Sequence, residues 1–275
     1  MNLETTTSLR GCVWQILLRM RSVDVDEYME LLKDGIPEVK NEVPPGSVSM
    51  FGTQAAKSAD IIVVDANRTF ATESLFVQRV PFEKIVRVLS AFHRKIRTSS
   101  PSKALQLNVL RNLPFWRFVC HDTAILTPSF NTLYIDEEQV GRYMGYIQGM
   151  NAIAGCFLFN MPEVEAWTAM CIMMEKMCPR YSGLYGGSYD GDILVRRIIE
   201  SVDAPLAVKL ALVPLSVFTH QVIHGFCTVY PPLSEILKLW DLILAFGAHM
   251  STIFAACMII IRRDELLSSS YVYID

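Results

Sequence analysis

The sequence predicts an all-α fold, and three observations carry that reading. Apolar residues recur at three- and four-residue spacing through most of the chain, the period of helices with one buried face. Clusters of proline, glycine and small polar residues cut the pattern into helix-sized lengths. Strand candidates are few: Asp60 to Val64 and Phe226 to Val229 hold β-branched residues but lack a partner pattern. With 51% hydrophobic and 19% charged residues over 275 positions, the chain is far from the composition of disordered proteins. It can bury a large core as one domain or two packed subdomains.

From the N-terminus, Val13, Ile16, Leu17 and Met20 follow the polar Thr5 to Ser8 cluster at helical spacing. Tyr28, Leu31 and Leu32 do so after Asp24 and Asp26, which predicts two helices. Residues 36–49, with Pro37, Pro44, Pro45 and Gly46, read as a loop leading to the segment around Ile61. Ile85, Val86, Leu89 and Phe92 make an amphipathic helix from Phe82 that ends near Thr98 and Pro101. Pro101 to Glu138 shows no sustained period, so an irregular excursion with one short helix, Lys103 to Arg111, is expected. Helices follow at Tyr146 to Phe159 and Val164 to Met177, then a glycine-rich break from Pro179 to Gly191. Further helices are expected at Ile193 to Ser201, Leu206 to His220, Leu233 to Phe246 and Thr252 to Leu267. No internal repeat, heptad run or low-complexity tract is present.

Composition also excludes function classes. The mean hydropathy of +0.29 raises the question of a membrane span. The longest apolar runs, ending at Met161, Ala248 and Ile261, fall short of the roughly 20 residues that a spanning helix needs. The opening MNLETTTSLRG has no basic segment before an apolar one, so no secretory signal is expected and the protein reads as cytoplasmic. Cysteines at seven scattered positions, without a C-x-x-C pair and mostly in apolar stretches, read as buried thiols. A formal charge of −3 argues against a nucleic-acid binder held by phosphate contacts. Locally, Arg79, Lys84, Arg87, Arg94, Lys95 and Arg97 against Glu83 predict a basic helix face. It reads either as a solvated face or as an attraction for an acidic partner or a membrane surface.

Most generic catalytic patterns are missing: there is no phosphate-loop motif, no G-x-S-x-G elbow and no HExxH. Gly186 and Gly187 with Asp190 and Asp192 lack the lysine and ordered acidic spacing of a phosphate or cation site, and read as a plain loop. His220 and His224 are four apart, as a zinc pair on one helix face would be, but no third ligand is suggested. Buried or capping histidines are the favoured reading, and no metal site is expected. Cys120, His121 and Asp122 are adjacent, which does not make a triad.

Two segments stand apart. In IIVVDANRTF, Ile62, Asp65 and Arg68 are three apart, so a helical turn sets the carboxylate beside the guanidinium. In GYIQGMNAIAG, Tyr146, Gln148, Gly149, Met150 and Asn151 open an apolar helix. These resemble the paired motifs of the TBC domain, the family of Rab GTPase-activating proteins: I-x-x-D-x-x-R in one element and Y-x-Q-G-M-N in another. SLRGCVW resembles the family's opening pattern through Arg10, Val13 and Trp14, and LKLWDLILAFG its late pattern through Trp240, Asp241 and Gly247. DANRTFATESLFVQRV and YPPLSEILKLWDLILAFGAH resemble the subgroup of the fungal spindle-position checkpoint subunit more than the vesicle-trafficking members.

The resemblance implies a single TBC domain over 1–275 with a two-subdomain helical fold. Residues 1–165 form the part carrying both fingers, and 166–275 a C-terminal helical part shortened at its end. It implies that Arg68 is an arginine finger and Gln148 a glutamine finger, both supplied in trans to a Rab-like small GTPase. Gln148 orients the attacking water in place of the GTPase's own glutamine. Asp65 would hold the arginine segment, Tyr146 and Asn151 would fix the glutamine loop, and Gly149 would permit its tight backbone. Arg10, Trp14, Trp240 and Asp241 are structural landmarks, the last two expected to stabilise the C-terminal part. GTP and Mg²⁺ belong to the partner, so no cofactor of the chain's own is expected. The checkpoint subgroup implies a second GAP subunit and a spindle-pole, microtubule-organising-centre or endomembrane location. Arg68 and Gln148 lie 80 positions apart, more than the family usually has, so about 97–138 reads as an insertion. A flanking helix is expected to be absent or shortened at each end. A catalytically silent TBC adaptor is the alternative reading, and a helical metal enzyme resting on His220 and His224 the remotest one.

Overall fold

The computed structural model describes residues 6–33, 35, 54–98, 146–178 and 186–269. The expected loop at 36–49, the helix at Lys103 to Arg111, the expected insertion beyond Thr98, and Cys120, His121 and Asp122 lie outside them. The helices in chain order are α1 (Leu9–Leu17), α2 (Val25–Leu32), α3 (Gln54–Arg68), α4 (Ser74–Arg79) and α5 (Phe82–Thr98). Then come α6 (Met150–Asn160), α7 (Glu163–Ile172, continued by a π-helical turn Met173–Met177), α8 (Gly186–Val202), α9 (Ala204–Leu210) and α10 (Ser216–His224). The last are α11 (Leu233–Phe246), α12 (Met250–Ile261) and α13 (Arg263–Ser268). Among the described residues there is no strand.

Several boundaries differ from the sequence expectation for local reasons. Asp60 to Val64 belongs to α3, where Ile62, Asp65, Ala66 and the following Thr69 are buried at helical spacing. Phe226 to Val229 is a turn with Phe226 and Cys227 at positive φ. The expected helix from Leu206 to His220 is two, α9 and α10, separated around Pro214, which has no N–H to donate. The helix expected over Thr252 to Leu267 breaks at Arg262, whose φ of −92° and ψ of 18° are not helical. Gly186, expected in a loop, opens α8, and α6 starts at Met150 rather than Tyr146. Helix α4 is only six residues long, too short for a period to show in sequence.

Helix α5 is the hub of the first core, packing against α2, α3, α6 and α7. The charges on α5 hold two of those neighbours, α2 and α7. Arg87 grips Glu163 through Nε and Nη2, both at 2.6 Å, and Tyr28 donates to the same carboxylate at 2.7 Å. Lys95 pairs with Glu27 at 2.8 Å and lies 4.9 Å from the centre of the Trp167 ring. Arg94 donates to the carbonyls of Leu31 and Gly35. These cations of the expected basic face are thus engaged within the protein, stitching α5 to α2 and α7. Burial raises the Tyr28 phenol well above its ordinary range, the Glu163 charge adding to it, so Tyr28 is held as a neutral donor.

A second core gathers Val195, Ile199, Leu206, Leu210, Val222, Ala255 and Ile259 around α8, which packs against α9, α10 and α12. Helix α11 contributes Ile236, Leu237, Trp240 and Ile243 to the first core and also packs on α12. The first core therefore includes residues on both sides of position 165. Cys156, Cys171 and Cys227 are buried as expected, whereas Cys12 and Cys257 are exposed, because α1 and α12 turn those positions outward. Among the described residues, no helix is long and apolar enough to cross a membrane.

Candidate functional site

Arg68 is the last residue of α3, so its side chain emerges where the helix stops and its guanidinium stays half-exposed. Asp65, one turn earlier, is almost wholly buried, and both its oxygens are engaged. Oδ1 pairs with Arg68 Nη2 at 2.7 Å, and Oδ2 accepts from the Tyr146 hydroxyl at 2.5 Å. A buried carboxylate is tolerable only when paired and hydrogen-bonded in this way. Two residues past Arg68 the chain turns at Phe70, which adopts a left-handed φ of 44° and packs on Phe76 with ring centres 5.1 Å apart.

Gln148 projects from the turn before α6. Gly149 stands at φ 103°, a conformation that residues with a Cβ rarely adopt, and it starts the helix at Met150. Asn151, in the first turn, donates through Nδ2 to the Asp65 carbonyl at 3.0 Å and to Thr69 Oγ1 at 2.9 Å. Thr69 in turn donates to the Asp65 carbonyl at 2.8 Å. The Tyr146 amide donates to His93 Nδ1 on α5 at 2.9 Å. The two motifs thus form one hydrogen-bonded unit, although Asp65 and Tyr146 are 81 positions apart.

That unit forms one wall of an open cleft of about 540 Å³, into which Arg68, Gln148, Gly149 and Asn151 face. The opposite wall comes from α10 and the turn after it, through His220, Gln221, His224, Thr228, Val229 and Pro231. Glu73 lines the cleft between the walls, and its Oε1 accepts from the Leu233 amide at 3.1 Å, capping the start of α11. The His220 and His224 rings stack with centres 5.1 Å apart. Among the described residues no group of three or more His, Cys, Asp or Glu side chains gathers as a metal would require.

The remaining landmarks meet behind the cleft. Asp241 on α11 accepts from Trp14 Nε1 at 2.7 Å and pairs with Arg10 Nε at 3.1 Å, joining α11 to α1. Trp14, Phe157 and Trp240 form a three-ring cluster with centres 5.3–5.8 Å apart, and Trp240 Nε1 donates to the Phe226 carbonyl at 2.9 Å. Trp240 and Asp241 were expected to steady the C-terminal part; Trp240 does tie α11 to the turn at Phe226, and the pair also locks α1 and α11 onto α6, because the Trp240 ring faces the first core.

Residues 138–267 match the Rab-GTPase-TBC domain family. A Dictyostelium discoideum protein named as mitotic check point protein BUB2 is 31% identical over 264 residues, 94% of this chain. Over residues 138–267 the chain is a TBC domain. Two further relatives are mitotic check point protein BUB2 of Saccharomyces cerevisiae, 24% identical over 94% of the chain, and cell division control protein 16 of Schizosaccharomyces pombe, 23% identical over 95%. The chain spans 54% of the length of the Dictyostelium relative, and 70% and 67% of the two yeast proteins. The match to the TBC domain begins at 138, so it takes in Gln148 and the far wall but not Arg68.

Thr69, His93 and Glu73 are parts of the site that no motif marked. Thr69 adjoins the arginine motif and could have been found from it. His93 and Glu73 act through contacts with residues far along the chain and carry no local signal. His220, read from sequence as a buried or capping histidine with a metal pair as the remote alternative, lines the cleft.

Proposed function

We propose that this TBC domain is a GTPase-activating module that inserts Arg68 and Gln148 into the nucleotide site of a Rab-like small GTPase. The observation that carries the reading is their convergence on one open cleft, tied together through Asp65, Tyr146 and Asn151. GTP hydrolysis spreads charge over the γ-phosphoryl oxygens, and catalysis is mostly positioning and electrostatic stabilisation. A guanidinium has a permanent charge and a planar fork that suits those oxygens. In the free protein, Asp65 keeps Arg68 directed at the cleft mouth, and insertion would replace that partner by phosphate. Gln148, on a turn fixed by Gly149 and Asn151, is the group that orients the attacking water. GTP and Mg²⁺ come with the partner. The checkpoint names of the relatives support a role in cell-cycle control; a spindle-pole or comparable cytoplasmic location and a second GAP subunit are part of the same proposal.

The test is the rate of GTP hydrolysis by a panel of small GTPases with wild type, Arg68→Ala and Gln148→Ala. Wild type should accelerate at least one of them, and Arg68→Ala should lose on the order of 10³-fold or more of that acceleration. Stimulation that is unchanged in both variants would rule out the finger mechanism. Binding to GTP-loaded protein with no acceleration by wild type would assign the chain as an adaptor instead.

A further inference from the structure

The cleft has a second wall that the finger motifs do not explain. Gln221 is exposed on α10, and His220 is half-buried, its ring stacked within 9° of parallel on His224. His224 is buried, and burial, with His220 adding to it, pulls its imidazole down to about 4. It is therefore a neutral backing for His220 at physiological pH.

Beyond α10 the chain makes an unusual turn. Phe226 and Cys227 are consecutive non-glycine residues at φ 48° and 64°, a strained conformation that persists only when its surroundings enforce it. They do so here. The Cys227 amide donates to the Val222 carbonyl at 2.9 Å, Trp240 Nε1 to the Phe226 carbonyl at 2.9 Å and Thr228 Oγ1 to the Gly225 carbonyl at 2.7 Å. The turn sends Phe226 into the first core and Cys227 into the second, and leaves Thr228 and the exposed Val229 on the cleft.

We propose that this wall, chiefly His220 and Gln221 with Val229 beside them, is the surface that selects the GTPase. It would contact the polypeptide flanking the nucleotide while Arg68 and Gln148 reach the nucleotide itself. The inference rests on the GTPase-activating reading above. The partner chemistry follows from what the two walls offer. Arg68, the cation suited to phosphate, is on the finger wall. The far wall presents an imidazole, a carboxamide and a valine, groups that fit an uncharged stretch of backbone and apolar side chains. Segments of that kind flank the γ-phosphate in a GTPase and are ordered by it.

The experiment measures two quantities with Rab-like GTPases: the Kd for protein loaded with a non-hydrolysable GTP analogue, and the KM and kcat of activated hydrolysis. Wild type, Gln221→Ala, His220→Ala with Gln221→Ala, and Arg68→Ala are compared. The double far-wall variant should weaken binding and raise KM by about tenfold, an ordinary loss for a central interface contact. Its kcat should fall far less than that of Arg68→Ala, the signature of lost binding rather than lost transition-state stabilisation. Gln221→Ala, at an exposed position that leaves the histidine stack intact, should show the same pattern more weakly. Far-wall variants that bind as wild type does, or that lose kcat with KM unchanged, overturn the proposal. A wild type that binds without accelerating removes the finger mechanism alone, since the Kd still reads the far wall. A wild type that binds no loaded GTPase overturns both readings.

Discussion

Arg68 depends on neighbours that no motif names. Thr69 and Phe70 follow it directly and lie against α6 at Gly155, where an added Cβ would stand 2.9 Å from Thr69 Cγ2 and 3.0 Å from Phe70 Cε2. Phe70 cannot easily retreat, being held at a left-handed φ and packed on Phe76. Gly155→Ala should therefore push the finger segment away from α6. It should cost about 1–3 kcal/mol in urea unfolding, as overpacking does, and should lower GTPase activation with it. A Gly155→Ala protein of wild-type stability and activity would show that the segment adapts freely. At this scale the sequence was legible where spacing encodes contact: Asp65 and Arg68, one turn apart, do form the ion pair that spacing suggests. It was silent on Gly155, because the atoms that crowd it belong to residues more than eighty positions earlier.

Helix α6 is held from both ends of the chain. Its N-terminus carries the Gln148 turn, and Phe157 in its third turn lies between Trp14 of α1 and Trp240 of α11. Asp241 secures that clamp by accepting from the fully buried Trp14 indole and pairing with Arg10. Asp241→Leu should leave the indole N–H buried without an acceptor, at a cost of about 1–3 kcal/mol and a Tm lower by several degrees. Asp241→Asn, which retains an acceptor oxygen, should lose much less, and equal losses in a thermal melt would mean that charge rather than the hydrogen bond holds α11 to α1. Long amphipathic helices such as α5 were readable because burial repeats along one face. Helix α3 was obscured by Ile61, Ile62, Val63 and Val64, whose β-branched run mimics a strand. Which core α11 joins was equally hidden, since an apolar helix does not say which apolar surface it will meet.

At the scale of the whole molecule, two cores enclose one cleft, and the far wall links cleft chemistry to stability. The His224 imidazole sits near 4 when folded against an ordinary 6.5. The unfolded chain therefore binds more protons between those values. Stability from this group is complete above about pH 6.5 and falls as the pH drops toward 4. Between pH 7.5 and 5 this amounts to about 2 kcal/mol, and His224→Phe should flatten that part of the urea midpoint's pH dependence. An unchanged pH profile in the variant would place the acid sensitivity elsewhere. The all-helical class and the finger motifs were legible in the sequence because both are local patterns. The pairing of two walls into a cleft was not, since it brings residues of α3 and α6 to the same cleft as residues of α10, which no spacing records. If Arg68 and Gln148 act together in trans, Gln148 takes the water-orienting role that a GTPase otherwise fills itself. The most direct measurement is the activated hydrolysis rate of a partner GTPase whose own catalytic glutamine has been replaced by alanine. Wild type should accelerate that GTPase nearly as well as the unaltered one, and Gln148→Ala should fail on it; loss of all acceleration when the GTPase's glutamine is removed would contradict a water-orienting role for Gln148.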